Sequence, residues 1–164
     1  MPVQTSVALS INAPLSQTFA IAAGFDPSAL IMKYGPLPGI VKTDGHDAPW
    51  SAIGQQRKHT LSDNSSVNEE LVAFTRDSTF AYRVTDFTGL FAALARSARG
   101  EWHFTMTGAE KTQIDWTYSF FPSGPVAEPL LWFVVKTLWP GYLRTALNRV
   151  KAAAEQGSHE DRDF

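Results

Sequence analysis

The sequence predicts an α+β fold: a curved, seven-stranded antiparallel sheet wrapped around one long C-terminal helix, with two short helices between the first two strands. Three observations carry this. Most strand-like segments are joined by connections shorter than the dozen or more residues that a parallel crossover needs, so neighbours pair antiparallel. Leu143, Leu147, Val150 and Ala154 recur at the spacing of one helix face near the C-terminus. Aromatic residues make up 12% of the chain against 18% charged, so much large apolar surface has to be enclosed.

The elements follow in order. Val3, Thr5, Val7, Leu9 and Ile11 alternate with small or polar residues, as in a half-buried strand, and Asn12 to Pro14 closes it. Leu15 to Ala23 reads as a short helix with Asn12 or Ala13 near its cap and Gly24 at its end. Asp26-Pro27 opens a second, with aspartate as N-cap and proline at the first helical position. Gly35-Pro36-Leu37-Pro38-Gly39 is a loop, because two prolines exclude regular structure. Strands are expected over Ile40 to Asp44, Trp50 to Leu61, Val67 to Phe74 and Thr79 to Thr85, with turns at Asp63-Asn64 and Arg76-Asp77. Gly89 to Ala98 interrupts them with Leu90, Phe91 and Leu94 at helical spacing. Glu101 to Thr107 and Thr112 to Phe121 form a last hairpin. The final helix runs from about Glu128 to Glu155, carries Trp132 and Trp139 one heptad apart, kinks or breaks at Pro140-Gly141 and stops at Gly157. Residues 1–157 make one domain, and 158–164 read as a disordered polar tail.

Composition excludes several functions. There is no cysteine, hence no disulfide, thiolate nucleophile or cysteine-ligated zinc, which suits the expected cytoplasmic location. A net charge of −2 provides no field to attract nucleic acid. The N-terminus lacks a basic region followed by an apolar core, so no signal peptide is expected. The longest apolar run, Pro129 to Val135, is too short for a transmembrane segment. No pair of histidines has ligand spacing with a carboxylate, and neither a phosphate loop nor Gly-x-Ser-x-Gly is present. No metal or cofactor is expected, and the chain is a monomer or homodimer.

Four pieces together carry a family resemblance. Val7-Ala8-Leu9-Ser10-Ile11-Asn12-Ala13-Pro14 looks like a first strand ending in an apolar-x-Ala-Pro corner. Gly54-Gln55-Gln56-Arg57 looks like a Gly-x-x-Arg strand start. Val67-Asn68-Glu69-Glu70-Leu71 and Phe80-Ala81-Tyr82-Arg83-Val84 look like a Glu-bearing strand followed by a Tyr-Arg-Val strand. Thr112-Gln113-Ile114-Asp115-Trp116 looks like a Thr-x-apolar-x-Trp last strand. In this order they resemble the polyketide cyclase/dehydrase and lipid-transport branch of the START-like (SRPBCC) helix-grip superfamily. That resemblance implies a cavity between sheet and helix, and a fold that serves carriers, sensors and enzymes alike.

Pairing the hairpins through Asn64 and Arg76-Asp77 sets Arg57 across from Glu69 and Tyr82 across from Leu71. One face then collects Ile53, Gln55, Arg57, His59 and Leu61 with Val67, Glu69, Leu71, Phe80, Tyr82 and Val84. Its apolar members mark it as concave, so Arg57 and Glu69 point inward and are expected to pair. Such a pair is either structural or a ligand anchor. His59 shares the face, and Glu69, His59 and Tyr82 are the candidate proton-transfer groups. His103 has surface parity, while His46 and His159 sit in a loop and the tail. Tyr34, Trp50, Arg57, His59, Glu69, Tyr82, Phe91, Trp102, Phe104, Trp116 and Tyr118 are the candidate ligand contacts. The expected partner is an apolar or aromatic small molecule; the alternative is a cyclase- or dehydratase-type enzyme. Residues 87–98 and the loop 34–39 are expected to cover the entrance, with Gly89 and Gly100 as hinges.

Overall fold

The first strand, β1 (Val3–Ile11), buries Val3, Val7 and Ile11 on one face, as its alternation requires. The computed structural model describes residues 1–160, with side chains through Gly157. Helix α1 (Leu15–Gly24) starts after Pro14 with no side-chain cap and buries Thr18, Phe19, Ala22 and Ala23. Helix α2 (Pro27–Leu30) is capped as expected, the Asp26 carboxylate accepting from Ser28 N at 3.0 Å.

Five strands come next: β2 (Ile40–Asp44), β3 (Gln56–Leu61), β4 (Ser66–Thr75), β5 (Thr79–Thr85) and, after the five-residue helix α3 (Leu90–Leu94), β6 (Ala95–Gly108). Strand β7 (Lys111–Pro122) completes a seven-stranded sheet in the order β1-β7-β6-β5-β4-β3-β2, with every neighbouring pair antiparallel. The hairpin turns rest on Asn64 (φ 67°) and Asp77 (φ 60°), residue types that tolerate the left-handed region. They fix the registers expected from sequence: Arg57 faces Glu69, and Leu71 faces Tyr82.

Four boundaries differ from expectation, the last being the end of the C-terminal helix. Residues 50–55 are not strand: the Gln55 side-chain carbonyl accepts from Ser51 N and Ala52 N at 2.7 and 2.8 Å and folds them into a loop. Ile53 is therefore 67% exposed, off the concave face, and Gln55 is spent on that loop. Strand β6 begins six residues before Glu101, so α3 is a single turn rather than a helix reaching Ala98. The C-terminal helix is broken into α4 (Glu128–Thr137) and α5 (Trp139–Glu160) at Leu138, two residues before Pro140. A proline disturbs the preceding turn, where its missing N–H leaves a carbonyl unpaired and its ring crowds the backbone.

Leu143, Ala146, Leu147, Val150 and Ala154 of α5 are fully buried, as the predicted stripe requires. Gly157 does not end α5. A Cβ there would lie 2.8 Å from Gln17 Nε2, which donates to Ala154 O, so the glycine serves close packing against α1. Residues 161–164 of the expected tail lie outside the described residues. Among the described residues, no helix is long and apolar enough to cross a membrane.

Candidate ligand-binding cavity

Inward-facing residues of β3 to β7 do not meet α4 and α5 everywhere. Between them lies a cavity of about 340 Å³, within the usual range for small-molecule sites. Its walls are mostly aromatic and aliphatic. Tyr82, Trp116, Tyr118 and Phe120 come from the sheet, Phe91 from α3, and Val134, Leu138, Trp139 and Leu143 from the helices. Trp139 packs its ring against Phe120 and Phe91, at centroid distances of 4.8 and 5.9 Å.

One end of the cavity is polar. His59 Nδ1 lies 2.8 Å from Thr43 Oγ1, and His59 Nε2 lies 2.8 Å from Glu69 Oε1. This is a close contact without a well-directed hydrogen bond. The His59 side chain is 1% exposed and that of Glu69 14%.

Beyond this contact is a second chamber of about 50 Å³, lined by Trp50, Arg57, Phe80, Trp102 and residues of α1 and α2. His59, Glu69, Tyr82 and Trp116 border both chambers.

Arg57 does not take Glu69 as its ion-pair partner, although the two face each other across β3 and β4. Its guanidinium lies 3.6 Å over the Trp50 ring and donates to Ala48 O at 3.2 Å, while Glu69 turns to His59. The loop that displaced Ile53 from the strand is what brings Trp50 there. Trp50 in turn stacks on Tyr82, at 6.4 Å between centroids and 18° between planes. A column of guanidinium, indole and phenol results. Burial pulls the pKa of Arg57 down, opposed by the nearby negative charge of Glu69. Burial likewise pushes the Tyr82 and Tyr118 phenols well above their ordinary values, with Glu69 adding to both. Both hydroxyls are therefore neutral donors at physiological pH. The Tyr82 hydroxyl accepts a long bond, 3.4 Å, from Trp102 Nε1.

Of the sequence candidates, His59, Glu69, Tyr82, Phe91, Trp116 and Tyr118 border the large cavity, and Trp50, Arg57 and Trp102 the small chamber. Tyr34 and Phe104 border neither. Tyr34 leans on Tyr142 at the surface, and Phe104 packs into the aromatic core with Phe19 and Phe80. Leu90 and Leu94 reach the cavity as expected, Leu90 from its rim at 90% exposure. Gly100 is no hinge: it lies inside β6. His103 is exposed, as its parity implied. Sequence reasoning missed the contributions of Val134, Leu138, Trp139 and Tyr142. Val134, Leu138 and Tyr142 are four residues apart, on one helical face beside the stripe read from Leu143 onward, while Trp132 is exposed and Trp139 borders the cavity.

Solved structures with the same fold are diverse. A norcoclaurine synthase from Thalictrum flavum, in complex with dopamine and hydroxybenzaldehyde, aligns over 94% of this chain and 88% of its own at 10% identity, TM-score 0.65. XoxI from Bacillus cereus aligns over 96% and 99% at 15% identity, TM-score 0.64. A major latex-like protein from Panax ginseng aligns over 93% and 98% at 17% identity, TM-score 0.61. At such identities the likeness is one of fold alone. No curated protein matches in sequence. The family description "polyketide cyclase / dehydrase and lipid transport" matches residues 2–155, and the chain belongs to that family.

Proposed function

We propose that this protein binds a mainly apolar, aromatic small molecule in the cavity between the sheet and the α4–α5 helices. The observation that carries the reading is the contrast within one cavity: an aromatic and aliphatic body ending at the buried Glu69–His59 contact. Apolar walls supply affinity through area removed from water, and the few polar groups fix orientation. Phe87 to Leu94, with Leu90 at the rim, forms the movable part of the wall, opposite Pro36 to Pro38. The test is a titration with the neutral fluorophore aminoanthracene, alongside native mass spectrometry of the purified protein. Saturable one-to-one binding is expected, and Val134→Trp, which fills the cavity from α4, should abolish it. If the parent protein shows no saturable binding and retains no small molecule, the reading fails.

A second reading is favoured by one observation. Glu69, His59 and Tyr82 border one cavity, so a carboxylate, an imidazole and a phenol lie within reach of one bound molecule. In this reading the protein is a cyclase- or dehydratase-type enzyme, with Glu69 accepting a proton from the bound molecule. Solvent deuterium incorporation into a bound ketone, lost in Glu69→Gln, would separate it from simple binding.

A further inference from the structure

We propose that the polar end of the cavity selects ligands whose aromatic body ends in a neutral hydroxyl, and discriminates against both hydroxyl-free and anionic counterparts. This rests on the binding reading above and adds the chemistry of the group that is read.

Four side chains decide it. Trp116 Nε1 is buried without a directed hydrogen bond, His59 Nε2 has its 2.8 Å contact with Glu69 Oε1, and both residues border the two chambers. A buried donor without a partner, as the Trp116 N–H is, is rare in folded proteins, because it has given up its hydration for nothing. Glu69 faces the same space as an acceptor, and Arg57 as a further donor, itself only 5% exposed. A ligand terminus here therefore meets donors and an acceptor together.

The charges set the rest. Arg57 carries one positive and Glu69 one negative charge, in a site with little water to screen them. An anionic terminus would gain from Arg57 and lose to Glu69, and a cationic one the reverse, so neither recovers the hydration it gives up on entry. A neutral hydroxyl avoids both costs: it donates a hydrogen bond to the Glu69 carboxylate, and its oxygen accepts one from Trp116 Nε1 or Arg57. A ketone or ether oxygen satisfies the donors and leaves Glu69 without a new partner. Size agrees with this. About 50 Å³ accommodates an oxygen terminus or a few waters, at roughly 10–15 Å³ each, while the ring system stays in the 340 Å³ chamber. There Phe91, Phe120 and Trp139 present faces and edges to an aromatic body.

The experiment compares biphenyl, para-hydroxybiphenyl, para-methoxybiphenyl and para-biphenylcarboxylate at pH 7 by displacement of aminoanthracene. The hydroxyl compound should bind at least about tenfold more tightly than each of the others, as expected of a site built to hydrogen-bond a hydroxyl. In Glu69→Gln the ratio of hydroxybiphenyl to biphenyl affinity should fall to about threefold or less. Trp116→Phe, which keeps a ring and removes the donor, should lower the same ratio and guards against a Glu69 variant that fails to fold. Four affinities within about threefold of one another, a carboxylate that binds best, or a ratio unmoved in a folded variant would overturn the inference while leaving the apolar cavity standing. Failure of all four to displace the fluorophore, with biphenyl included, would bring down the binding reading and this inference with it.

Discussion

Gly100 and Tyr82 face each other across β5 and β6, and the phenol ring lies over the bare Cα of the glycine. A Cβ at position 100 would stand 2.5 Å from the ring carbons Cε2 and Cζ. No rotamer change of a methyl group relieves such a contact, so the ring itself must move. Gly100→Ala should therefore destabilise the protein by about 1–3 kcal/mol, the usual cost of overpacking a core. Urea unfolding measures this. The same variant should lose aminoanthracene affinity, because the displaced ring has the cavity as its free side.

The Arg57–Trp50 contact should be a measurable part of stability. A desolvated guanidinium over an indole face contributes about 2 kcal/mol. In a double-mutant cycle of Arg57→Met and Trp50→Leu, a coupling of about 1–2 kcal/mol is expected in urea unfolding. Additive single-mutant effects would mean that the stack is incidental.

Alkaline titration should report the buried tyrosines. Tyr82, Tyr118 and Tyr142 are all held above the ordinary phenol value, in each case chiefly by burial. A raised folded pKa gives stability that is complete below the unfolded value, near 10, and lost progressively as pH rises above it. Absorbance of the phenolates should thus rise for these three together with loss of circular dichroism, not before it.

Amide exchange tests whether the wall formed by residues 87–94 moves. Residues 87–94 should exchange quickly in the empty protein and slow when aminoanthracene is bound, while Ala95 onward, paired in β6, stays protected throughout. Protection of 87–94 without ligand would assign Phe91 and Leu94 to fixed packing.

The sequence made the sheet readable where turns pin the register. Asn64 and Asp77 stand where a left-handed residue is needed, and once they are placed, period-two alternation carries His59, Glu69, Tyr82, Trp116 and Tyr118 inward. It was less readable where side chains are small. Ala95, Ser97 and Ala98 have no alternation strong enough to announce the first turn of β6. Pairing of side chains was harder still. Register gives which Cα atoms face each other, but Glu69 could reach either Arg57 opposite or His59 on the diagonal. The choice was settled by Trp50, whose arrival depends on how six loop residues hydrogen-bond. Helix periodicity was read too late in the chain: the stripe from Leu143 extends back through Tyr142, Val135 and Leu131, leaving Trp132 exposed and Trp139 at the cavity.

The pairing of β1 with β7 has a consequence in time. Val3 finds its partner in Phe120, and Ile11 in Thr112. During synthesis at about 5–20 residues per second, β1 has no strand to pair with for roughly 6–23 s. Through that interval an alternating apolar strand stands with both edges open, the state most exposed to wrong partners. Strands β2 to β6 meet sequential neighbours and can form a meander meanwhile, but it has no roof. The cavity comes into being only when β7 joins β1 and α5 closes over them, so its walls are among the last parts of this fold to assemble.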